Sequence, residues 1–393
     1  MKTKLTTLFI EFFESEQSSG IVLLMNAILA ILLANSPMSQ AFLSFWHLPL
    51  GWDLDGVHLQ HNLLHWINDG LMAIFFLLIG LEIEREIYIG ELSDAKNALL
   101  PIFAALGGML VPALIHLSLN IGRPTQNGFG IPTATDIAFA LGAISLLGSR
   151  VPAALKVFLT AFAIIDDLGA MMVIAFFYSN GFSWTYLLLA LAVFVFLLVL
   201  NWRGVNHITA YLIPGLFMWY WMGQSGIHAS LSGVLLAFAL PFRDGSPQTP
   251  SYRLQHALHK PVAFLIMPIF ALANTGIIIT TEVLRNAITS NTLGIFLGLL
   301  LGKPVGILVF AFVAIQARFA KLSSDISYRD LLGLGFLGGI GFTMSIFITT
   351  LAFGESLAAQ NSKIAILLGS VSSACIGLWI LSRRPILSRK ETI

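Results

Sequence analysis

Two adjacent aspartates, Asp166 and Asp167, stand in the middle of a run from Val157 to Tyr178 that carries no other charge. The run is long enough to cross a bilayer as a helix, which takes roughly 20 apolar residues. An acidic residue at the centre of such a helix costs about 3 kcal/mol on insertion scales, so a pair there has a purpose. Neighbours on a helix point about 100° apart, so the two carboxylates cannot act as one fork. One can face an aqueous cavity while the other meets a partner on an adjacent helix. Lys303 is the only charge between Thr292 and Gln316 and is followed by Pro304; Asp166 or Asp167 is its obvious partner. Asp69, in Trp66-Ile67-Asn68-Asp69, and Asp136 add two more carboxylates within apolar runs. Four carboxylates against one lysine leave an excess of negative charge that protons or bound cations must offset. Carboxylate and hydroxyl oxygens suit hard cations, and no Cys/His set of the transition-metal kind is present. A carboxylate that holds either a proton or a sodium ion, but not both, gives exchange directly. Alternating access around it makes a transporter, not an enzyme, with no covalent chemistry and no cofactor.

The composition agrees. Of 393 residues, 57% are hydrophobic and 10% charged, with mean hydropathy +0.85, against about 25% charged in soluble proteins; this is a polytopic membrane protein, all α. A net charge of +1 gives no case for nucleic-acid binding. The single cysteine, Cys375, excludes an intrachain disulfide and reads as a small core residue. Lys2 and Lys4 are followed by Glu11, Glu14 and Glu16, unlike a cleaved signal peptide, and Leu5, Leu8, Phe9 and Phe12 predict a surface helix over 1–15.

About twelve spans are expected, centred near residues 27, 74, 108, 138, 167, 193, 214, 234, 268, 304, 341 and 372. Placing both termini in the cytoplasm, including the tail 385–393, puts every Lys and Arg on that side except Arg123, Arg285 and Lys363, which fall in the opposite loops, and the intramembrane Lys303. Such a bias supports both the count and the orientation. The chain reads as one integral membrane domain, 1–393. In the first outer loop, Trp46, Leu48, Leu50, Trp52 and Leu54 alternate up to Asp55-Gly56, and Val57 and Leu59 alternate after it. This predicts a β-hairpin over 45–61 whose open edges are a natural dimer contact; an irregular loop is the alternative.

Two spans are interrupted. Gly128-Phe129-Gly130-Ile131-Pro132-Thr133-Ala134-Thr135-Asp136 opens the fourth, and Gly333, Gly335, Gly338, Gly339 and Gly341 precede Phe342-Thr343-Met344-Ser345 in the eleventh. Glycine and proline permit a break, and Thr and Ser satisfy the backbone groups it frees; close helix packing is the rival explanation of the second glycine run. The fourth span is the middle of spans 3 to 5 and the eleventh of spans 10 to 12. Twin breaks at corresponding places point to inverted repeats around a midplane site. Freed helix ends carry partial charge, for which Asp136 and Lys303 are suitable counter-charges.

Four stretches together are specific: Pro132 to Ala140, Ala163-Ile164-Ile165-Asp166-Asp167-Leu168-Gly169-Ala170, Gly302-Lys303-Pro304, and Gly339 to Phe347. With Phe75 to Glu82, they make the chain resemble the NhaA family of bacterial sodium/proton antiporters from about residue 15 to residue 380. The resemblance implies a twelve-span inner-membrane fold with two inverted repeats and crossed, broken spans 4 and 11. It implies Asp166 and Asp167 as ion and proton carriers, Asp167 the principal sodium ligand, with Thr135 and Asp136 beside the crossing. It implies that Lys303 pairs with Asp166 and is released by sodium or pH. It further implies electrogenic export of sodium or lithium, activation at alkaline pH, and homodimers joined through the hairpin.

A pH-sensing region is carried over onto Glu82, Arg85, Glu86, His228, His256 and His259. Gln255 stands where the family's sensor often has glutamate, and Glu84 where a basic residue is common. His256 and His259 read equally as a solvated pair. Two other classes fit these residues less well. An intramembrane aspartic protease could use Asp136 and Asp167, and Pro112-Ala113-Leu114 supplies one of its strings, but the Gly-x-Gly-Asp motif is absent and Lys303 goes unexplained. A passive cation channel would want weak, hydrated rings of charge, not buried carboxylates paired with lysine.

Overall fold

A computed structural model describes residues 16–384, apart from 55, 56, 180, 286 and 324. The surface helix expected over 1–15, the Asp55-Gly56 turn and the tail 385–393 lie outside the described residues. Most of the remainder is helical. Hydrocarbon offers the backbone no hydrogen bonds, so apolar runs of this length satisfy their amides internally.

In chain order the helices are α1 (Glu16–Ala34), α2 (Ser39–Trp46), α3 (Leu63–Tyr88), α4 (Ala95–Asn120), α5 (Ile137–Ser145, preceded by a tight 3₁₀ stretch, Gln126–Thr133), α6 (Ala153–Phe177) and α7 (Trp184–Trp202). There follow α8 (Thr209–Gln224), α9 (Leu231–Ala239), α10 (Pro250–Asn274), α11 (Ser290–Gln316), α12 (Tyr328–Gly338), α13 (Phe342–Phe353) and α14 (Leu357–Ser382). Among the described residues eight helices are long and apolar enough to cross a membrane, ten when two bent pairs are each taken as one span. The pairs are Ser18–Ala34 with Ser39–Trp46, bent by 119°, and Tyr328–Gly338 with Phe342–Phe353, bent by 46°. The other two expected centres, near 214 and 234, fall in α8 and α9, which at 16 and 9 residues are short. α9 stops because Leu240, which precedes Pro241, is extended at φ −73°, ψ 145°. On α7 large apolar side chains such as Leu188, Val195, Phe196 and Trp202 are exposed, as lipid contact requires of a helix apolar on every side.

Three local expectations are corrected. Trp46 ends a helix instead of starting a strand, because Ser39–Trp46 continues as helix up to His47. Lys363 lies within α14, not in a loop, since the Ser356 hydroxyl accepts from the Ala359 amide and starts that helix at Leu357. Cys375 is exposed, not core: apolar residues occur on every side of α14, so no apolar stripe marks which face turns inward.

The hairpin forms as two short antiparallel ladders. Pro49 and Leu50 pair with Asn62 and His61, and Asp53 and Leu54 pair with His58 and Val57. Between them Gly51 takes φ +111°, and a Cβ there would lie 2.2 Å from the Leu59 carbonyl oxygen, so only glycine fits.

The chain divides into two compact units. Unit 2 comprises Val22–Gly90 and Met171–Thr280. Unit 1 takes Glu91–Ala170, the described residues from Thr281 onward and those up to Ile21, so it gathers spans 3 and 4, most of span 5 and spans 10 to 12. Within unit 1, α4 and α11 run antiparallel in close contact. A Cβ on Gly107 would stand 2.1 Å from the Gly306 carbonyl oxygen, and one on Gly306 2.0 Å from that of Gly107. Gly302 meets Pro112 in the same way, at 2.9 Å. A wide π turn, Gly298–Gly302, ends at Lys303 and rotates that side chain relative to a regular helix.

Gly306→Ala should therefore destabilise the protein by about 1–3 kcal/mol through overpacking. A lowered thermal midpoint of the purified protein checks this. Gly20→Ala, whose methyl would meet only ordinary contacts at 3.8 Å, should leave the midpoint unchanged or raise it.

Candidate functional site

The two broken spans of unit 1 meet at their breaks. After the 3₁₀ stretch the chain is extended through Ala134, Thr135 and Asp136 before α5 begins, while Gly339 to Gly341 separate α12 from α13. Each break frees backbone groups that would be costly if buried unmade, and the opposite break supplies their partners. The Asp136 amide donates to the Ile340 carbonyl at 2.6 Å, and the Thr135 hydroxyl donates to the Gly338 carbonyl at 2.7 Å. The Ser345 hydroxyl returns the bond to the Ile131 carbonyl at 2.7 Å. The Gly341 and Phe342 amides donate to the Ser370 hydroxyl at 3.2 and 3.3 Å.

Asp136 caps two helices with one carboxylate. Its Oδ1 accepts from the Phe139 amide at 3.1 Å in the first turn of α5. Its Oδ2 accepts from the Thr343 amide at 3.0 Å and from the Thr343 hydroxyl in the first turn of α13. A negative group thus faces the positive ends of both half-helices. Thr343 was read only as part of the interruption; the signal for its role was the Phe342-Thr343 step directly after Gly341, a capping residue type at a helix start.

Asp166 and Lys303 form the other half of the site. Lys303 Nζ lies 2.8 and 2.7 Å from Asp166 Oδ1 and Oδ2 and 2.9 Å from Thr135 Oγ1. An ammonium has three N–H donors, and these three acceptors use all of them. Both ion-pair side chains are 0% exposed. The Phe162 ring, one turn before Asp166 on α6, stands 5.7 Å below the ammonium; its position four residues ahead of Asp166 was the available signal. Asp167 is buried and also acts electrostatically on Lys303. Thr135 links the two halves, accepting from Lys303 while donating to the freed end of α12.

The remaining predicted residues lie in unit 2. Glu82 and His259 come together, with Oε1 and Nδ1 3.7 Å apart. His256 is exposed and stacks on Tyr252, Arg85 is exposed, and Glu86 and Gln255 are half-buried. Glu84 is buried and accepts from the Ser251 hydroxyl at 3.0 Å, a contact between α3 and α10 that its charge did not suggest. His228 does not join this group; it pairs with Asp69 at the hairpin end of α3.

Asp136→Ala removes the cap of two helices and should cost about 2 kcal/mol or more, at roughly 1 kcal/mol per cap. Asp136→Asn keeps one acceptor oxygen and should cost less. Thermal unfolding of the two variants beside the parent gives the order.

The family model described as Na+/H+ antiporter 1 matches residues 10–381. A relative from Dechloromonas aromatica, Na(+)/H(+) antiporter NhaA, is 55% identical over 96% of this chain and 97% of its own length. The protein of the same name from Flavobacterium psychrophilum is 52% identical over 96% of each, and that from Proteus mirabilis 44% identical over 98% of this chain and 100% of its own. With the crossed breaks and the buried acidic pair already in view, the match over nearly the whole length means that this multi-pass membrane protein belongs to the Na+/H+ antiporter 1 family.

Proposed function

We propose that this chain is a secondary transporter that exchanges sodium, or lithium, for protons across the bacterial inner membrane. The observation that carries the reading is the fully buried Lys303–Asp166 pair, with a second carboxylate, Asp167, on the next residue of α6. A buried ion pair is weak evidence for stability, because desolvation offsets much of its attraction. It makes sense as a site that other charges enter.

A sodium ion arriving at Asp166 and Asp167 competes with the Lys303 ammonium for Asp166. Once displaced, Lys303 retains only one of its three acceptors, Thr135, in a site of low polarity. The ammonium is then destabilised and gives up its proton, so that sodium entry and proton release are one event. Exchange on opposite sides completes the cycle. Asp167 is the principal sodium ligand, and Thr135 supplies a hydroxyl beside it. Asp136 stays ionised as the counter-charge of the two half-helix ends, which lets the crossing move without leaving those ends unpaired. The cycle is electrogenic, exports sodium, and is active at alkaline pH. Glu82, Arg85, Glu86, Gln255, His256 and His259 respond to cytoplasmic pH at the ends of α3 and α10, and the Glu82–His259 pair weakens as the imidazole loses its charge. Both termini are cytoplasmic, in accord with the Lys and Arg bias. Two copies of the chain join through the hairpin over 45–61, whose ladders leave edges open.

In everted vesicles with an acid interior, sodium added at pH 8 should collapse the gradient for the parent protein and fail to do so for Asp167→Asn. Collapse unaffected by that substitution moves the ion site off α6, and a sodium flux independent of the gradient favours a channel. Replacing residues 51–60 with a Gly-Ser linker should convert dimers to monomers in light scattering of the purified protein.

A further inference from the structure

Asp69 belongs to neither the crossing nor the lysine pair. It lies in a π turn, Trp66–Leu71, at the hairpin end of α3, in unit 2. There it stands between two imidazoles. His65 Nε2 is 3.7 Å from Asp69 Oδ2, and His228 Nε2 is 3.5 Å from Asp69 Oδ1. Both distances exceed a hydrogen bond and are within ion-pair reach. The four-residue spacing sets His65 and Asp69 on one face of the helix, while His228 arrives from the segment between α8 and α9. On its far side His228 Nδ1 is 2.6 Å from Ser230 Oγ.

Exposure falls steadily along this series. His65 is 41% exposed, Asp69 18% and His228 11%, and Ser230 is fully buried. Groups that do not titrate hold the turn that carries Asp69. The Trp219 indole of α8 donates to the Asp69 carbonyl at 3.2 Å and stacks on Trp66, and Asn274 of α10 donates to Asn68 at 2.8 Å. Besides His65, the titratable groups that face Asp69 are His228 and His61, and His61 stacks on His65 with ring centroids 4.1 Å apart. A carboxylate bracketed by an open imidazole and a covered one is a graded path for a proton, not a structural ion pair, which would be closed by one partner at hydrogen-bond distance.

We propose that His65, Asp69 and His228 form one proton-exchange site at the hairpin end of unit 2, separate from Asp166 and Asp167, through which protons pass between the medium and the interior. A proton on His65 Nε2 moves to Asp69 Oδ2, breaking the N–H bond and forming O–H. The carboxyl then turns and gives it to His228 Nε2, which restores the carboxylate. His65 is the solvent-facing member. Its role in transport rests on the antiport reading; the shared site does not.

The test titrates the histidines of the full-length protein, labelled with nitrogen-15, by nuclear magnetic resonance in detergent, with His228→Gln assigning the signal. Asp69→Asn should lower the midpoint of His228 by about one pH unit, a tenfold loss of proton affinity, because a neighbouring negative charge is gone. His65→Gln, at a half-buried position, should raise it by removing a neighbouring imidazole that disfavours the protonated form of His228. An unchanged His228 midpoint in both variants overturns the site. In proteoliposomes Asp69→Asn should need about ten times more protons on the hairpin side for half-maximal exchange, with the opposite side unaffected. A shifted midpoint with an unshifted hairpin-side profile overturns the path. If the parent protein itself exchanges nothing, the antiport reading fails, and the titration alone decides the shared site.

Discussion

A lysine with no exposed surface must have every donor met, and that requirement organises unit 1. Lys303 finds two acceptors on Asp166 and a third on Thr135, and Thr135 is where it needs to be only because the chain is extended there. The extended step is stable because the opposite break takes up its hydrogen bonds, and the opposite break is stable for the same reason. The ion pair and the crossing are therefore one construction. Neither the lysine nor the interrupted helices could be buried without the other, since orphaned charge and orphaned amides are each costly in hydrocarbon.

Packing sets how firmly the lysine is held. The glycine contact between α4 and α11 brings two backbones together so closely that no side chain fits between them, and the π turn before Lys303 spends an extra residue to aim it. The site itself is less constrained. Lys303 is bound to Asp166 by charge and hydrogen bonds alone, interactions that another cation can replace. Rigid backbone around exchangeable contacts is what a site requires if ions come and go while the fold stays.

The two units handle acidic residues in different ways. In unit 1 Asp136 is met by two helix ends and Asp166 by lysine, and both are buried. In unit 2 Asp69 and Glu82 face imidazoles that are partly open to solvent, at opposite ends of α3. An imidazole can take up or release a proton, which a helix end cannot.

Much of this was legible in the residues. Helices were legible because hydrocarbon leaves the backbone no alternative, and the breaks because glycine and proline act on their own turn. Asp136 as a counter-charge to helix ends and Lys303 as the partner of an α6 aspartate followed from the cost of burying charge, which sequence alone exposes. What it left open was which partner and which face. The residues alone offered Asp166 and Asp167 equally to Lys303, and only the family resemblance implied Asp166; that Thr343 shares Asp136 with α5, that Glu84 lies against Ser251 and that Cys375 faces outward had no such pointer. Each depends on the rotation of a helix about its axis. In water the hydrophobic stripe fixes that rotation; on α14, α8 and α13 apolar residues occur on every side, so no stripe exists to read. Only contacts between residues far apart in the chain decide it, and those exist only in the folded structure.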